Sequence, residues 1–257
     1  MDSLRVQLCE HRGDYGFDGG RTEIMGLVAV GAAGFVLAGR AFVNAQSRRV
    51  LVAIFEQLGG LALLQVLVSY LYSTRRGKFE FWAELLAGQP LRGDEHVLDM
   101  GCGRGAILGM VAKIVSRGRA VGLDLWRSED QPGNDPQATW RNLDLEGVRD
   151  RCELQTADMR AMPFSDATFD CVVSSLAIHN IKGQKGRAEA IDEAVRVLKP
   201  GGRILIADIL WTKFYAALLR ERGMEDVIQK RTDWRLWYGA LGLVTGLVTA
   251  TKPTRLD

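Results

Sequence analysis

Glu95-His96-Val97-Leu98-Asp99-Met100-Gly101-Cys102-Gly103-Arg104-Gly105 is the stretch on which the reading of this chain turns. Val97 and Leu98 are strand-forming apolar residues. The alternating glycines that follow let the backbone turn tightly and approach a ligand with no Cβ in the way. Ile107, Leu108, Val111, Ala112 and Val115 then recur at helical spacing. A strand, a glycine turn and a helix in that order present free backbone N–H groups to a ligand at the helix start. Taken alone, the pattern fits a dinucleotide, a phosphate or a nucleoside.

Downstream of the turn, short β-rich runs alternate with helical stretches. The spacing predicts strands at Val97–Met100, Ala120–Leu125, Cys152–Ala157, Phe169–Ser174 and Arg203–Ile209, with helices over 105–117, 137–147 and 186–198. Val227–Thr232 and Leu243–Thr251 supply two closing strands. This alternation predicts an α/β fold, a parallel sheet with helices on both faces.

Three strand ends carry chemistry. Asp124 ends Val121-Gly122-Leu123-Asp124-Leu125, where an acid accepts hydrogen bonds from two ribose hydroxyls. In Thr156-Ala157-Asp158-Met159, Asp158 is placed to accept from an exocyclic adenine amine and Met159 to pack on the ring face. Past the fourth strand, Leu176-Ala177-Ile178-His179-Asn180-Ile181 offers His179 as a general base or an acceptor-orienting group. Lys199-Pro200-Gly201-Gly202 is a structural turn between a helix and a strand.

These segments, in this order and spacing, resemble the class I S-adenosylmethionine-dependent methyltransferases, in particular the branch of quinone-biosynthesis and sterol methyltransferases. The resemblance covers roughly residues 76–252. It implies a Rossmann-like seven-stranded, mostly parallel sheet whose last strand runs antiparallel, with S-adenosyl-L-methionine as cofactor. By motif match, Asp99, Gly101, Cys102 and Gly103 line the methionine part of that cofactor. Asp124, with Leu125 beside it, holds the ribose, Asp158 and Met159 the adenine, and Ser174 sits beside the cofactor amine. The stretch 126–136 departs from the family pattern, being longer and more polar than the usual strand–helix joint. An NAD-dependent oxidoreductase remains an alternative, although the later helix-packing glycine of the dinucleotide fingerprint is missing. A non-catalytic cofactor-binding subunit is the other.

The part before the glycine turn has a different composition. Residues 1–23 read as a polar, loosely ordered leader without the basic n-region of a secretory signal. Ile24 to Gly39 carries no charge, and a second apolar stretch runs from Val50 to about Tyr72, interrupted by Glu56, Gln57 and Gln65. Each approaches the ~20 residues that cross a bilayer. Residues 24–73 therefore read as an α-helical hydrophobic hairpin that enters the membrane; a soluble hairpin covering the domain or joining two copies is the alternative. Arg40, Arg48 and Arg49 lie between the stretches, and Arg75, Arg76 and Lys78 follow the second. The positive-inside rule puts both clusters in the cytoplasm, which suits a re-entrant or monotopic hairpin. Glu56 reads as interfacial, and Ser73–Gly77 as a flexible joint leading into a self-sufficient methyltransferase domain, 74–257.

Composition closes off other classes. With 33 basic and 31 acidic residues in 257, nothing marks bulk nucleic-acid binding. Four scattered cysteines and three histidines lack metal-ligand spacing and suit a reducing compartment. The expected function is methyl transfer to a hydrophobic small molecule or lipid, with the catalytic domain on the cytoplasmic face of a membrane.

Overall fold

The computed structural model describes residues 2–19, 21–46, 50–239 and 245–254. Seven strands form one sheet: β1 (His96–Met100), β2 (Arg119–Asp124), β3 (Cys152–Thr156), β4 (Phe169–Ser175), β5 (Leu198–Ile209), β6 (Glu225–Arg231) and β7 (Thr245–Thr251). Their order is β3-β2-β1-β4-β5-β7-β6. The five strands from β3 to β5 are parallel, and β7 lies antiparallel between β5 and β6. The expected topology is therefore present. The strand expected from Leu243 starts at Thr245, with 243 and 244 outside the described residues, as are Arg48 and Arg49.

Alternation along the strands divides the core into two layers. Val97, Val173 and Leu205 face α4 (Lys78–Ala87), α5 (Ala106–Ile114) and α6 (Pro136–Leu145), around Trp82, Leu108 and Leu143. Leu98, Val172 and Ile204 face α7 (Gly183–Val197) and α8 (Thr212–Glu221), around Ile191 and Tyr215. Helix α8 has no counterpart in the sequence reading. Its buried stripe of Tyr215, Ala216, Leu218 and Leu219 spans under two turns and is flanked by charges. The Lys199–Gly202 turn is absorbed into β5 as an excursion: Phe169 pairs with Leu198, and Cys171 pairs next with Arg203.

The N-terminal third differs most from expectation. The leader is not loose: α1 (Asp2–Cys9) docks on α4 with Leu8 fully buried. Residues 10–19 then run as a strap over the domain. Glu146 accepts from the backbone N–H groups of Arg12 (2.6 Å) and Gly13 (2.9 Å) and from the Tyr15 hydroxyl (3.0 Å), and it pairs with Lys113 at 2.8 Å. Polar composition suggested disorder because its partners lie far along the chain: Thr74 is 56 residues from Asp18, and Glu146 is 134 from Arg12.

Helices α2 (Arg21–Gln46) and α3 (Val50–Tyr72) form an antiparallel hairpin. Gly34 and Gly60 let the backbones touch, since a Cβ on either would come within 2.9 Å of the other's carbonyl oxygen. Phe35, Phe42 and Phe55 point outward, each at least two-thirds exposed. Glu56 is held inside the hairpin, accepting from Asn44 Nδ2 at 2.5 Å and facing Arg40 at 3.4 Å. The expected flexible joint at 73–77 is instead a π-helical turn joining α3 to α4, so helix runs from Val50 to Ala87 without a break. Ser73 and Gly77 are buried there against residues 234–239: Ser69 and Ser73 both donate to the Trp237 carbonyl, and Gly77 lies against the Arg235 backbone.

Candidate active site

The carboxyl ends of the parallel strands open onto a cavity of about 370 Å³. This is where an open α/β sheet binds ligands, at the point where strand order reverses between β1 and β4. The glycine turn forms its floor. Gly101 and Gly105 have φ of +80° and +83°, the left-handed region that favours glycine, and a Cβ on Gly101 would lie 2.3 Å from that of Ala177. The turn thus reverses β1 into α5 while pressed against the segment that follows β4.

Asp99, Gly101, Cys102, Gly103, Asp124 and Leu125 all line this cavity, and so do Asp158 and Met159. Asp99 is its most telling residue. It is 2% exposed, and among the described residues neither carboxylate oxygen has a well-aligned hydrogen-bond partner. Burial, reinforced by the charge of Asp124, pushes its pKa up to about 8. A buried carboxyl without a partner is costly unless a ligand supplies one. An amino-acid ammonium fits it by charge and donor capacity, which is what the methionine end of S-adenosylmethionine carries. The Cys102 thiol is pushed well above its ordinary value by the same burial and by both acids, so it is not a thiolate nucleophile.

Asp158 is paired before any ligand arrives. Arg160 holds both of its oxygens, Nη2 to Oδ2 at 2.6 Å and Nε to Oδ1 at 3.0 Å, which lowers its pKa. Arg160 thus occupies the carboxylate that the sequence reading offered to an adenine amine.

Two expected residues do not enter the cavity. Ser174 is turned into the sheet, where its hydroxyl donates to the Met100 carbonyl at 2.8 Å; the next residue, Ser175, lines the cavity and accepts from Trp82 Nε1 at 3.0 Å. Strand alternation puts them on opposite sides, a one-residue shift in the reading. His179 is also not among the lining residues. Its Nδ1 lies 2.5 Å from Oδ1 of buried Asp208, and its backbone N–H donates to Oδ2 at 3.0 Å. The Tyr215 hydroxyl reaches the same carboxylate at 3.3 Å. This anchorage fixes the turn whose next residues, Asn180, Ile181 and Lys182, do face the cavity.

Other lining residues carry no signal in the sequence. Asp18, from the strap, and Lys78, the first residue of α4, meet at 2.6 Å on the cavity wall. Asp18 also accepts from the Tyr238 hydroxyl at 2.9 Å, and its backbone N–H donates to Thr74 Oγ1 at 2.8 Å. Sixty residues separate the ion pair, so no local motif announces it. Gln131 and Asn134 come from the long polar stretch after β2.

Fold and site together define a Rossmann-like domain for a nucleoside cofactor that bears an amino group. A family model for the methyltransferase domain matches residues 98–206. The chain is 33% identical over 120 residues to a sterol 4-C-methyltransferase, strm-1 of Caenorhabditis elegans, covering 47% of this chain and 33% of that protein. It is 32% identical over 117 residues to the ubiquinone/menaquinone biosynthesis C-methyltransferase UbiE of Roseobacter denitrificans, covering 46% and 43%. The chain thus spans less than half the length of these curated relatives. Among solved structures, a SAM dependent methyltransferase from Aquifex aeolicus superimposes with a TM-score of 0.51 at 18% identity, over 66% of this chain and 88% of that one. The [4+2]-cyclase SpnF does so with a TM-score of 0.57, also at 18%, over 68% and 80%; these two likenesses speak for the fold alone. Residues 98–206 match a methyltransferase domain, and over that region the chain is similar to S-adenosylmethionine-dependent methyltransferases of the class I fold. The match speaks for a methyltransferase domain over the dinucleotide alternative.

Proposed function

We propose that this protein is a membrane-anchored methyltransferase that acts on a hydrophobic small molecule or lipid at the cytoplasmic face. One observation carries the reading: the apolar hairpin continues as unbroken helix into α4, whose first residue, Lys78, is part of the cavity wall. By length and composition, α2 and α3 each reach what a membrane crossing needs, and most of their surface is unburied. Tyr72 stacks on Trp234 with ring centroids 5.0 Å apart, next to exposed Arg75 and Arg76. Aromatic and basic residues at the foot of an apolar hairpin suit the headgroup level. The names of the matched relatives, a sterol and a quinone-biosynthesis methyltransferase, support a hydrophobic acceptor.

When bound, the cofactor supplies a sulfonium methyl group that needs an aligned acceptor and a dry site more than a strong base. Asp99 holds the amino end, Asp124 the ribose, and the strap excludes water from one side. His179, rather than acting as a base, holds the 176–182 turn in place through Asp208.

The test uses the full chain with methyl-labelled cofactor and vesicles of total membrane lipid. Flotation with the vesicles and label in an organic-extractable product are expected. A full-length protein that stays monodisperse without detergent, as monomer or as a dimer through the hairpin, and labels only water-soluble acceptors would overturn the reading.

A further inference from the structure

The cofactor ribose is the part of the ligand for which the structure offers more than the sequence did. An acid at the end of β2 is expected to take both ribose hydroxyls. In this chain Asp124 is already busy. Its Oδ2 accepts from the Gly103 backbone N–H at 2.8 Å, and its Oδ1 accepts from the Trp126 N–H at 2.6 Å and from Asn134 Nδ2 at 3.1 Å. A carboxylate has about four lone-pair positions, so three resident donors leave room for about one more. A ribose diol brings two O–H donors.

The second acceptor stands next to the first. Asn134 is 6% exposed and lines the cavity, and its Oδ1 has no hydrogen-bond partner among the described residues. Its orientation is fixed by the bond from Nδ2 to Asp124, because the reverse rotamer would set an oxygen against a carboxylate. The carbonyl end is therefore the end left free. An unpaired carbonyl so deeply buried costs stability unless something donates to it.

The backbone holds Asn134 in this place from both sides. Before it, Gln131 takes the Arg104 N–H on Oε1 at 3.3 Å and donates to the Tyr15 carbonyl at 3.1 Å, which ties the loop to the glycine turn and to the strap. After it, Asp135 caps α6 by accepting from the N–H groups of Gln137 and Ala138, with Pro136 in the first helical turn. The extra length and polarity of 126–136 thus deliver one acceptor to a defined point.

We infer that Asn134 and Asp124 divide the ribose diol between them, one hydroxyl donating to Asn134 Oδ1 and the other to the remaining acceptor position of Asp124. This rests on the assignment of S-adenosylmethionine as the cofactor. It makes the polar loop a cofactor-specificity element: a ligand lacking either hydroxyl leaves a buried acceptor unpaired.

Calorimetry with S-adenosylhomocysteine and its 2′-deoxy and 3′-deoxy forms, on the full-length protein, tests it without turnover. The wild type is expected to bind each deoxy form about tenfold or more weakly than the parent. Asn134→Leu, similar in size but without polar atoms, is expected to weaken the parent by a similar factor. It should abolish discrimination at one hydroxyl and keep it at the other. A uniform weakening of all three ligands would make Asn134 a mere support for Asp124 and overturn the inference, as would an unchanged profile. A wild type that tolerates the loss of either hydroxyl overturns it whatever the variant does. Failure of the parent compound to bind at all would instead bring down the cofactor assignment, and this inference with it.

Discussion

Asp99 concentrates the chemistry of the site in one side chain. Its folded pKa of about 8 stands above the ordinary carboxyl value of 3.8, so between those pH values the folded protein holds a proton that the unfolded chain has released. Stability from this group is full at low pH and falls as pH rises through that window. Asp99→Asn removes the dependence. The ligand-free variant should melt above wild type, by a margin of a few degrees at pH 8 that shrinks toward pH 5, while its affinity for S-adenosylhomocysteine drops. A variant that melts lower at pH 8 would mean that the carboxylate is satisfied in the free protein. The sequence led to Asp99 on the cavity wall because strand, turn and glycines are all local. It misplaced Ser174 for an equally local reason: which of two adjacent serines faces the ligand depends on the register of β4, set by β1 and β5 rather than by the serines. His179 sits in the expected turn, and its direction is decided by Asp208, 29 residues further on.

At the scale of elements, the π-helical turn is where hairpin and domain are joined. Gly77 is indispensable there: a Cβ would lie 2.0 Å from the Arg235 carbonyl oxygen, a backbone atom with nowhere to go. Gly77→Ala should force residues 234–239 away from the turn and cost about 1–3 kcal/mol, as overpacking of a tight contact does. Denaturant unfolding gives the cost, and the fluorescence of Trp234 and Trp237 reports the displacement. An unaltered midpoint would show that this contact is slack. The parallel strands and α5 to α7 were legible because each carries its own period. Helix α8 and the ordered strap were not, since a short stripe and a polar segment gain their structure from distant partners.

The molecule as a whole does not divide where its composition changes. Tyr15, Asp18 and Gly19 line the cavity although they precede the hairpin, so the cavity is walled by chain from both sides of the apolar segment. A protein starting at Thr74 should bind S-adenosylhomocysteine at least roughly tenfold more weakly than the full chain, a loss of about 1.4 kcal/mol. Equal affinity would restore the boundary drawn from composition. The unbroken helix from Val50 to Ala87 has a consequence of its own. It spans about 55 Å at 1.5 Å per residue, and α3 alone about 35 Å, close to the ~30 Å of a hydrocarbon core. On the membrane reading, the cavity rides on a stiff mast and its mouth keeps one altitude above the lipid. An acceptor is then sorted by how far its reactive atom can rise from the bilayer, so that the mast serves as a measuring rod as well as an anchor.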